Sequence, residues 1–351
     1  MSGTSDFKII LKTKLYYLMA MKKYDVFGIG SALMDLLIEI EPKELLEIDL
    51  KHGEMHLIDE EKSKAILEKL KKYNVKIAPG GSSANTLVDI ARLGGKVVFC
   101  GKVGRDSHGD IYEQRLKDHN IKSNISQGSL KTGHAITFIT PDSQRTFATH
   151  LGATLELKKE DIFAEDIKAS KILHIEGYQL EDKNLREAAI HAMDIAKKNN
   201  VKISIDLSDP ALVKRNIGHI RPLVKKYAGI VFANEEEARE FTGQEPEKAL
   251  DSIAEFCGTV IIKRGKKGSL IKHNGKVYQI PCVKAKAIDT TGAGDAYAAG
   301  ILYSLANNYD IKIAGEIGSL IASKVVEKIG ARLDEVPYKE IEKIKNKKQL
   351  L

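Results

Sequence analysis

From residue 24 onward the chain keeps one rhythm. Short apolar runs end in polar residues, and between them lie stretches whose apolar positions recur every three or four residues. YDVFGIG at residues 24–30 and VVFCGKV at 97–103 read as buried strands. Residues 172–175, 201–206, 230–233 and 260–263 read as four more. Helical patterns separate these last four, at 183–198, 212–227, 235–241 and 247–256. Strand–helix alternation of this kind predicts a mainly parallel sheet covered by helices on both faces, an α/β fold. Other stretches break the rhythm. Residues 36–40 and 54–58 look like short strands, followed by an amphipathic helix over 59–72 with Ala65, Ile66, Leu67 and Leu70 on its apolar side. Residues 135–140 and 144–150 alternate like a hairpin with Pro141 and Asp142 at the turn. Residues 268–273 and 276–280 do the same around Asn274-Gly275. A helix over 84–93, another near 313–329 and a Lys-rich helix over 338–348 complete the pattern, with no internal repeat.

The length of 351 residues allows one large α/β domain or two smaller ones, and a substantial core. Lys and Arg number 55 against 48 Asp and Glu, a net charge of +7. The excess is scattered Lys with little aromatic interleaving, which reads as a solvated surface and argues against a nucleic-acid partner. Cys100, Cys257 and Cys282 stand far apart, without metal or disulfide spacing, so a reducing cytoplasm is the expected location. His52 and His56 are four apart, but Gly53 lies between them in a strand-like segment, and metal binding is not expected there. Residues 1–20 are apolar but interrupted by Lys8, Lys12 and Lys14, too short and too charged to span a membrane. They read as an extension outside the fold, or as a misassigned start ahead of Met21.

The stretch with most chemistry is DTTGAGDAYAAG, residues 289–300. Gly292 and Gly294 permit close backbone approach to a ligand, and a helix begins immediately after, so its free N–H groups and dipole favour an anion. Asp295 stands inside this cradle. One reading makes it a base that takes a proton from an attacking hydroxyl; the other makes it a stabilising acid in the first turn of a helix. A second glycine cluster, Gly80-Gly81-Ser82-Ser83-Ala84-Asn85, opens another helix. It suits either hydroxyl recognition or simple Ser capping. Asp35 falls just past the first strand, as a ligand contact or a turn residue. Arg145 is either an anion contact or a surface strand residue. Several strands end in polar groups: Asp206 with Ser208, Asn234 with Glu237, and Lys263-Arg264-Gly265. Strand C-termini are where open α/β sheets bind ligands. No G-x-x-x-x-G-K-[ST] occurs, so any nucleotide phosphates are held without a Walker A loop.

The two glycine motifs, residues 80–109 and 287–305, resemble the paired signatures of the PfkB (ribokinase-like) carbohydrate and nucleoside kinases. The resemblance extends over residues 22–335, and Asn234 to Glu237 matches the family's N-x-x-E element. Residues 44–67, the GGSSAN segment and SQRTFATHLGATLEL are most similar to the adenosine kinase branch; ribokinase- or fructokinase-like sugar kinases are the alternative. The resemblance implies a three-layer α/β/α domain with a small β-sheet lid built from about 36–57 and 132–150, and a Lys-rich tail at 336–351. It implies ATP and Mg²⁺ as cofactors and a nucleoside or sugar as acceptor, foremost adenosine converted to AMP in purine salvage. Asp295 would be the base for the 5′-hydroxyl, the amides of Gly292, Ala293 and Gly294 the anion hole, and Arg145 a phosphate contact from the lid. Asp35, Gly80, Gly81, Ser82 and Asn85 would hold the acceptor, with Tyr178 stacking on a base. Asn234, Lys263, Gly265 and Thr290 would lie along the nucleotide, and Glu237 would organise Mg²⁺. Ser31 stands where eukaryotic adenosine kinases have Asn, and Tyr178 near where they have Phe. A monomer is expected, with a dimer as the alternative.

Overall fold

Period-two alternation builds the centre of the molecule. The computed structural model describes residues 22–53, 55–141 and 145–346. The expectations for residues 1–20, Glu54, Asp142 and the end of the Lys-rich helix fall outside these. In the central strands, successive side chains leave opposite faces of the sheet. Phe27, Ile29, Leu173, Ile175, Val260 and Ile262 enter one apolar cluster, while Val26, Ile172, Ile230, Phe232 and Ile261 enter another. Both faces are therefore apolar and both are covered, which is why these strands read as unbroken apolar runs.

The large sheet contains nine strands: β1 (Tyr24–Ile29), β5 (Val97–Val103), β6 (Lys122–Gln127), β9 (Ser170–Glu176), β10 (Lys202–Asp206), β11 (Ile230–Asn234), β12 (Thr259–Lys263), β13 (Ser269–His273) and β14 (Lys276–Ile280). Their spatial order is β14-β13-β12-β11-β10-β9-β1-β5-β6. From β12 to β6 every pairing is parallel, and only the β12–β13–β14 edge is antiparallel. Helices Lys183–Lys198, Pro210–Tyr227, Glu235–Thr242 and Pro246–Ala254 pack on one face. Ser82–Arg92 and Ala293–Ala306 pack on the other.

A second sheet of five strands stands beside it: β2 (Leu33–Glu39), β3 (Met55–Leu57), β4 (Lys76–Pro79), β7 (Thr132–Ile139) and β8 (Arg145–Gly152), ordered β3-β8-β7-β2-β4. Two features differ from the sequence reading. β4, which that reading left out, forms an edge, and β2 begins at Leu33, so Asp35 lies within a lid strand and not in a turn. In β2 the even positions Met34, Leu36 and Ile38 are buried in an apolar cluster continuous with that on one face of the large sheet, which turns Asp35 to the opposite face. The last long helix also ends early, at Ile311–Val325. The chain then runs irregularly through Gly330, Ala331 and Arg332 before helix Tyr338–Asn346. That irregular stretch turns out to matter for the site.

Candidate active site

Four neighbouring parallel strands end in charged or polar side chains: Glu176 on β9, Asp206 on β10, Asn234 on β11 and Lys263 on β12. Register sets Glu176 beside Asp206 and Asn234 beside Lys263. Two helix N-termini converge on this edge from above. One helix, Ser82–Arg92, is entered through Gly81 at φ +91°, and the other, Ala293–Ala306, through Gly292 at φ +74°. Both positions need glycine for a second reason. A Cβ on Gly81 would sit 2.2 Å from the Ser31 carbonyl oxygen, and one on Gly292 would sit 2.2 Å from that of Ala331.

Asp295 lies where the two helices meet. Its Oδ1 accepts a hydrogen bond from Ser82 Oγ at 2.7 Å, and its Oδ2 one from Asn85 Nδ2 at 3.1 Å. Burial raises its pKa to about 7, against the opposing pull of those two hydrogen bonds. A first-turn acid serving only the helix dipole would sit in its usual range or below it. A carboxyl with that value can take up a proton near neutral pH.

Two cavities share Asp295, Ser82 and Tyr178 as a common wall. The first, about 930 Å³, is lined by Asn234, Glu237, Lys263, Gly265, Thr290 and the Gly292–Gly294 backbone, with Ala322 and Val326 on its apolar side. Lys263 Nζ pairs with Asp206 Oδ2 at 2.9 Å and lies 3.2 Å from where a Gly294 Cβ would be, so it faces the cradle. Burial alone would lower the Lys263 pKa, but Asp206 and Glu237 raise it, so the ammonium stays charged. Ala293 N–H departs from the expected three-amide cradle: it donates to the Thr290 carbonyl at 3.2 Å. The amides of Gly292 and Gly294 have no such partner among the described residues. Glu237 is buried, and its two oxygens accept from Asn234 N and Nδ2, each at 2.7 Å. Burial raises its pKa to about 7. A divalent cation nearby would relieve a carboxyl held in that way.

The second cavity, about 830 Å³, lies between strand ends and lid and is lined by Asp35, Gly81, Ser82, Asn85 and Tyr178 together with lid residues. Burial raises the Asp35 pKa to about 6, opposed by Arg332 and Arg145. Of the residues expected to hold an acceptor, Gly80 alone does not line it. A Cβ there would meet the Asp35 carboxylate at 2.2 Å, so Gly80 backs Asp35 and the wall is formed by its neighbour.

Arg145 departs from its expected place among the phosphates. It lines neither cavity, and its guanidinium pairs with Asp289 at 2.5 Å, both side chains largely shielded from solvent. Asp289 also accepts from the amides of Thr291 and Gly330, each at 2.8 Å. The lid is thereby tied to the loop that leads into the cradle. Sequence reasoning gave no role to three groups. Asp289 opens the quoted motif, and its place there was its only signal. Glu176 takes the amides of Ser31 and Ser83 at 2.8 and 2.7 Å, and its only signal was its place at a strand end. Arg332 donates to Asn85 Oδ1 at 2.8 Å from the irregular stretch after the last long helix, and no local pattern marked it.

This sheet, its helical layers and its small second sheet define the ribokinase-like α/β class. The chain belongs to the pfkB family of carbohydrate kinases, whose pattern matches residues 49–337. It is 32% identical over 287 residues to a 5-dehydro-2-deoxygluconokinase of Clostridium botulinum, covering 77% of this chain and 85% of that protein. A protein of the same name from Listeria innocua is 30% identical over 262 residues, covering 71% and 81%. Among solved structures, a probable sugar kinase from Rhizobium etli superposes with a TM-score of 0.86 at 28% identity, covering 94% of this chain and 100% of that one. An adenosine kinase from Sinorhizobium meliloti does so at 0.83 and 29% identity, covering 88% and 96%. The sequence reading put adenosine first; the curated relatives put a sugar kinase first. Among the described residues no helix is long and apolar enough to cross a membrane.

Proposed function

We propose that this kinase moves the γ-phosphoryl group of ATP onto a primary alcohol of a small polyhydroxylated acceptor, with Asp295 as the general base. The observation that carries the reading is the shared wall: one carboxylate, with a pKa raised to about 7, borders both cavities. ATP lies in the larger cavity with its phosphates toward the cradle, and the acceptor alcohol reaches Asp295 from the smaller one. The Gly292 and Gly294 amides, the helix dipole behind them and Lys263 stabilise the charge on the transferring group. Asn234 and Glu237 are the residues that would hold Mg²⁺, and the ion would supply charge neutralisation of the triphosphate. Asp35 and Asn85 accept and donate hydrogen bonds to acceptor hydroxyls and so fix which alcohol faces Asp295. Ser82 and Asn85 orient the Asp295 carboxylate, so the proton moves to an oxygen already aimed at the incoming alcohol.

Two acceptor classes fit this chemistry. The names of the curated relatives favour a sugar kinase. The adenosine kinase neighbour, and Tyr178 at the junction of the cavities, support the nucleoside reading with adenosine as acceptor. A coupled assay of ADP release tests the kinase reading. ADP formation is expected to need ATP, Mg²⁺ and an alcohol acceptor together. Release at the same rate with and without acceptor would overturn it.

A further inference from the structure

We infer that Arg332 is a positioning residue of the active site: through Asn85 it fixes which way round an amide meets Asp295, and so holds that carboxyl in its base form. The inference rests on the kinase reading above and deepens it with a residue that lines neither cavity.

The neighbours of Arg332 deliver it. It stands on the irregular stretch after helix Ile311–Val325, and the chain is pinned on both sides of it. Gly330, at φ +117°, gives its N–H to Asp289 Oδ2 at 2.8 Å, and Leu333 gives its N–H to Asp89 Oδ1 at 2.9 Å. The Ala331 carbonyl packs against Gly292. From between these anchors Arg332 Nε donates to Asn85 Oδ1 at 2.8 Å. Asn85 in turn donates from Nδ2 to Asp295 Oδ2 at 3.1 Å.

The chemistry of the three groups gives this chain a direction. A guanidinium has only donors and an ionised carboxylate only acceptors, so the amide between them fits one way round. Turned over, Asn85 would set its NH₂ against the guanidinium and offer its oxygen to Asp295. That orientation suits a protonated Asp295, which would donate to it. Arg332 opposes it and thereby favours the ionised form. Ser82 supplies no such bias, because a hydroxyl donates to a carboxylate or accepts from a carboxylic acid equally well. The bias counts because burial raises the Asp295 pKa to about 7, with Ser82 and Asn85 opposing the rise. From the donor side Asp206 adds to it and Lys263 opposes it. A purely structural role accounts poorly for Arg332. Burial lowers its pKa, Asp35 and Asp89 act on it as nearby charges, and its buried Nη2 has no partner among the described residues. A buried cation with an unused donor is a weak tie between loops.

The test reads Asp295 directly, without an acceptor. Protein labelled with carbon-13 in its aspartate carboxyls is titrated by NMR, and the Asp295 signal is assigned by its loss in Asp295→Asn. Arg332→Met removes the donor and keeps bulk, and should move the Asp295 midpoint up by about one pH unit. Arg332→Lys keeps a cation able to donate to Asn85 and should titrate near the wild type. In an Asn85→Ala background Arg332→Met should add nothing further, because the chain is already cut. If Arg332→Met lacks a native circular dichroism spectrum, Arg332→Gln, too short to reach Asn85, takes its place with the same outcomes expected. An unmoved midpoint in Arg332→Met, an equal move in Arg332→Lys, or the same move in the Asn85→Ala background overturns the inference. Turnover is the second arm, read as ADP release with adenosine and with ribose. A midpoint one unit higher lowers kcat/KM about fivefold at pH 7 and little at pH 9, with the KM for ATP unchanged. An equal loss at both pH values overturns the positioning role. A wild type that gives no acceptor-dependent ADP defeats the kinase reading, while the titration still decides whether Arg332 governs Asp295.

Discussion

Replacing Asp295 by Asn should cost activity and add stability, and both follow from the same environment. Asn matches Asp in size and can keep both hydrogen bonds. Its Oδ1 accepts from Asn85, and its Nδ2 donates to Ser82 Oγ, whose hydroxyl proton turns away. What is lost is the ability to take a proton. General-base loss lowers turnover on the order of 10²–10⁴-fold, with the KM for ATP little changed. For stability, burial lifts the Asp295 pKa from 3.8 to about 7. The folded state thus binds the proton more tightly than the unfolded one, and stability falls as pH rises from about 4 to about 7. At 1.36 kcal/mol per unit, the cost of holding the carboxylate at pH 8 is at most about 4 kcal/mol. The side chain is half-buried, so a gain of about 1–4 kcal/mol in the Asn variant at pH 8 is the expected range. That gain should vanish near pH 3, below both the folded and the unfolded pKa of the carboxyl. Urea unfolding at the two pH values and coupled turnover at pH 8 measure both effects. A variant within a few-fold of wild-type turnover, or one less stable than wild type at pH 8, would refute the reasoning.

Other consequences are equally direct. The kcat/KM of the wild type should fall tenfold per unit as pH drops below about 7, because only the deprotonated Asp295 is a base; a plateau held down to pH 5 would show a carboxylate in its ordinary range. Arg145→Ala should destabilise the fold by about 3–5 kcal/mol, since it leaves the shielded Asp289 carboxylate without its cation. The double variant with Asp289→Asn should recover part of that loss, and strict additivity of the two changes would argue against the pair. Gly292→Ala should abolish turnover while leaving the far-ultraviolet circular dichroism native-like. Its φ of +74° and the Ala331 carbonyl 2.2 Å from the new Cβ force the cradle open. Near wild-type turnover in that variant would mean the cradle is not needed.

The sequence announced those parts of the molecule whose physics is local. Strands buried on both faces read as apolar runs, and the glycines before residues 82 and 293 marked helix starts built for close approach. Asp206, Asn234 and Lys263 could be picked out one at a time, because each closes an apolar run. What stayed hidden depends on contacts between distant residues. Arg332 meets Asn85 across 247 positions, and nothing near residue 332 announces a ligand site. Arg145 read as an anion contact or a surface strand residue; only the packing of lid against cradle brings Asp289 to it. Asp35 read as a ligand contact or a turn residue because its strand was placed from residue 36, whereas β2 begins at Leu33.

The account's central claim is that a phosphoryl group crosses from one cavity to the other at Asp295. The most direct test is stoichiometry: phosphorus NMR of the wild type with ATP, Mg²⁺ and an alcohol acceptor that supports ADP release, run to completion. The account predicts one phosphomonoester on the acceptor's primary alcohol for each ADP formed, with inorganic phosphate at background. ADP accumulating with free phosphate in place of the phosphomonoester would contradict it.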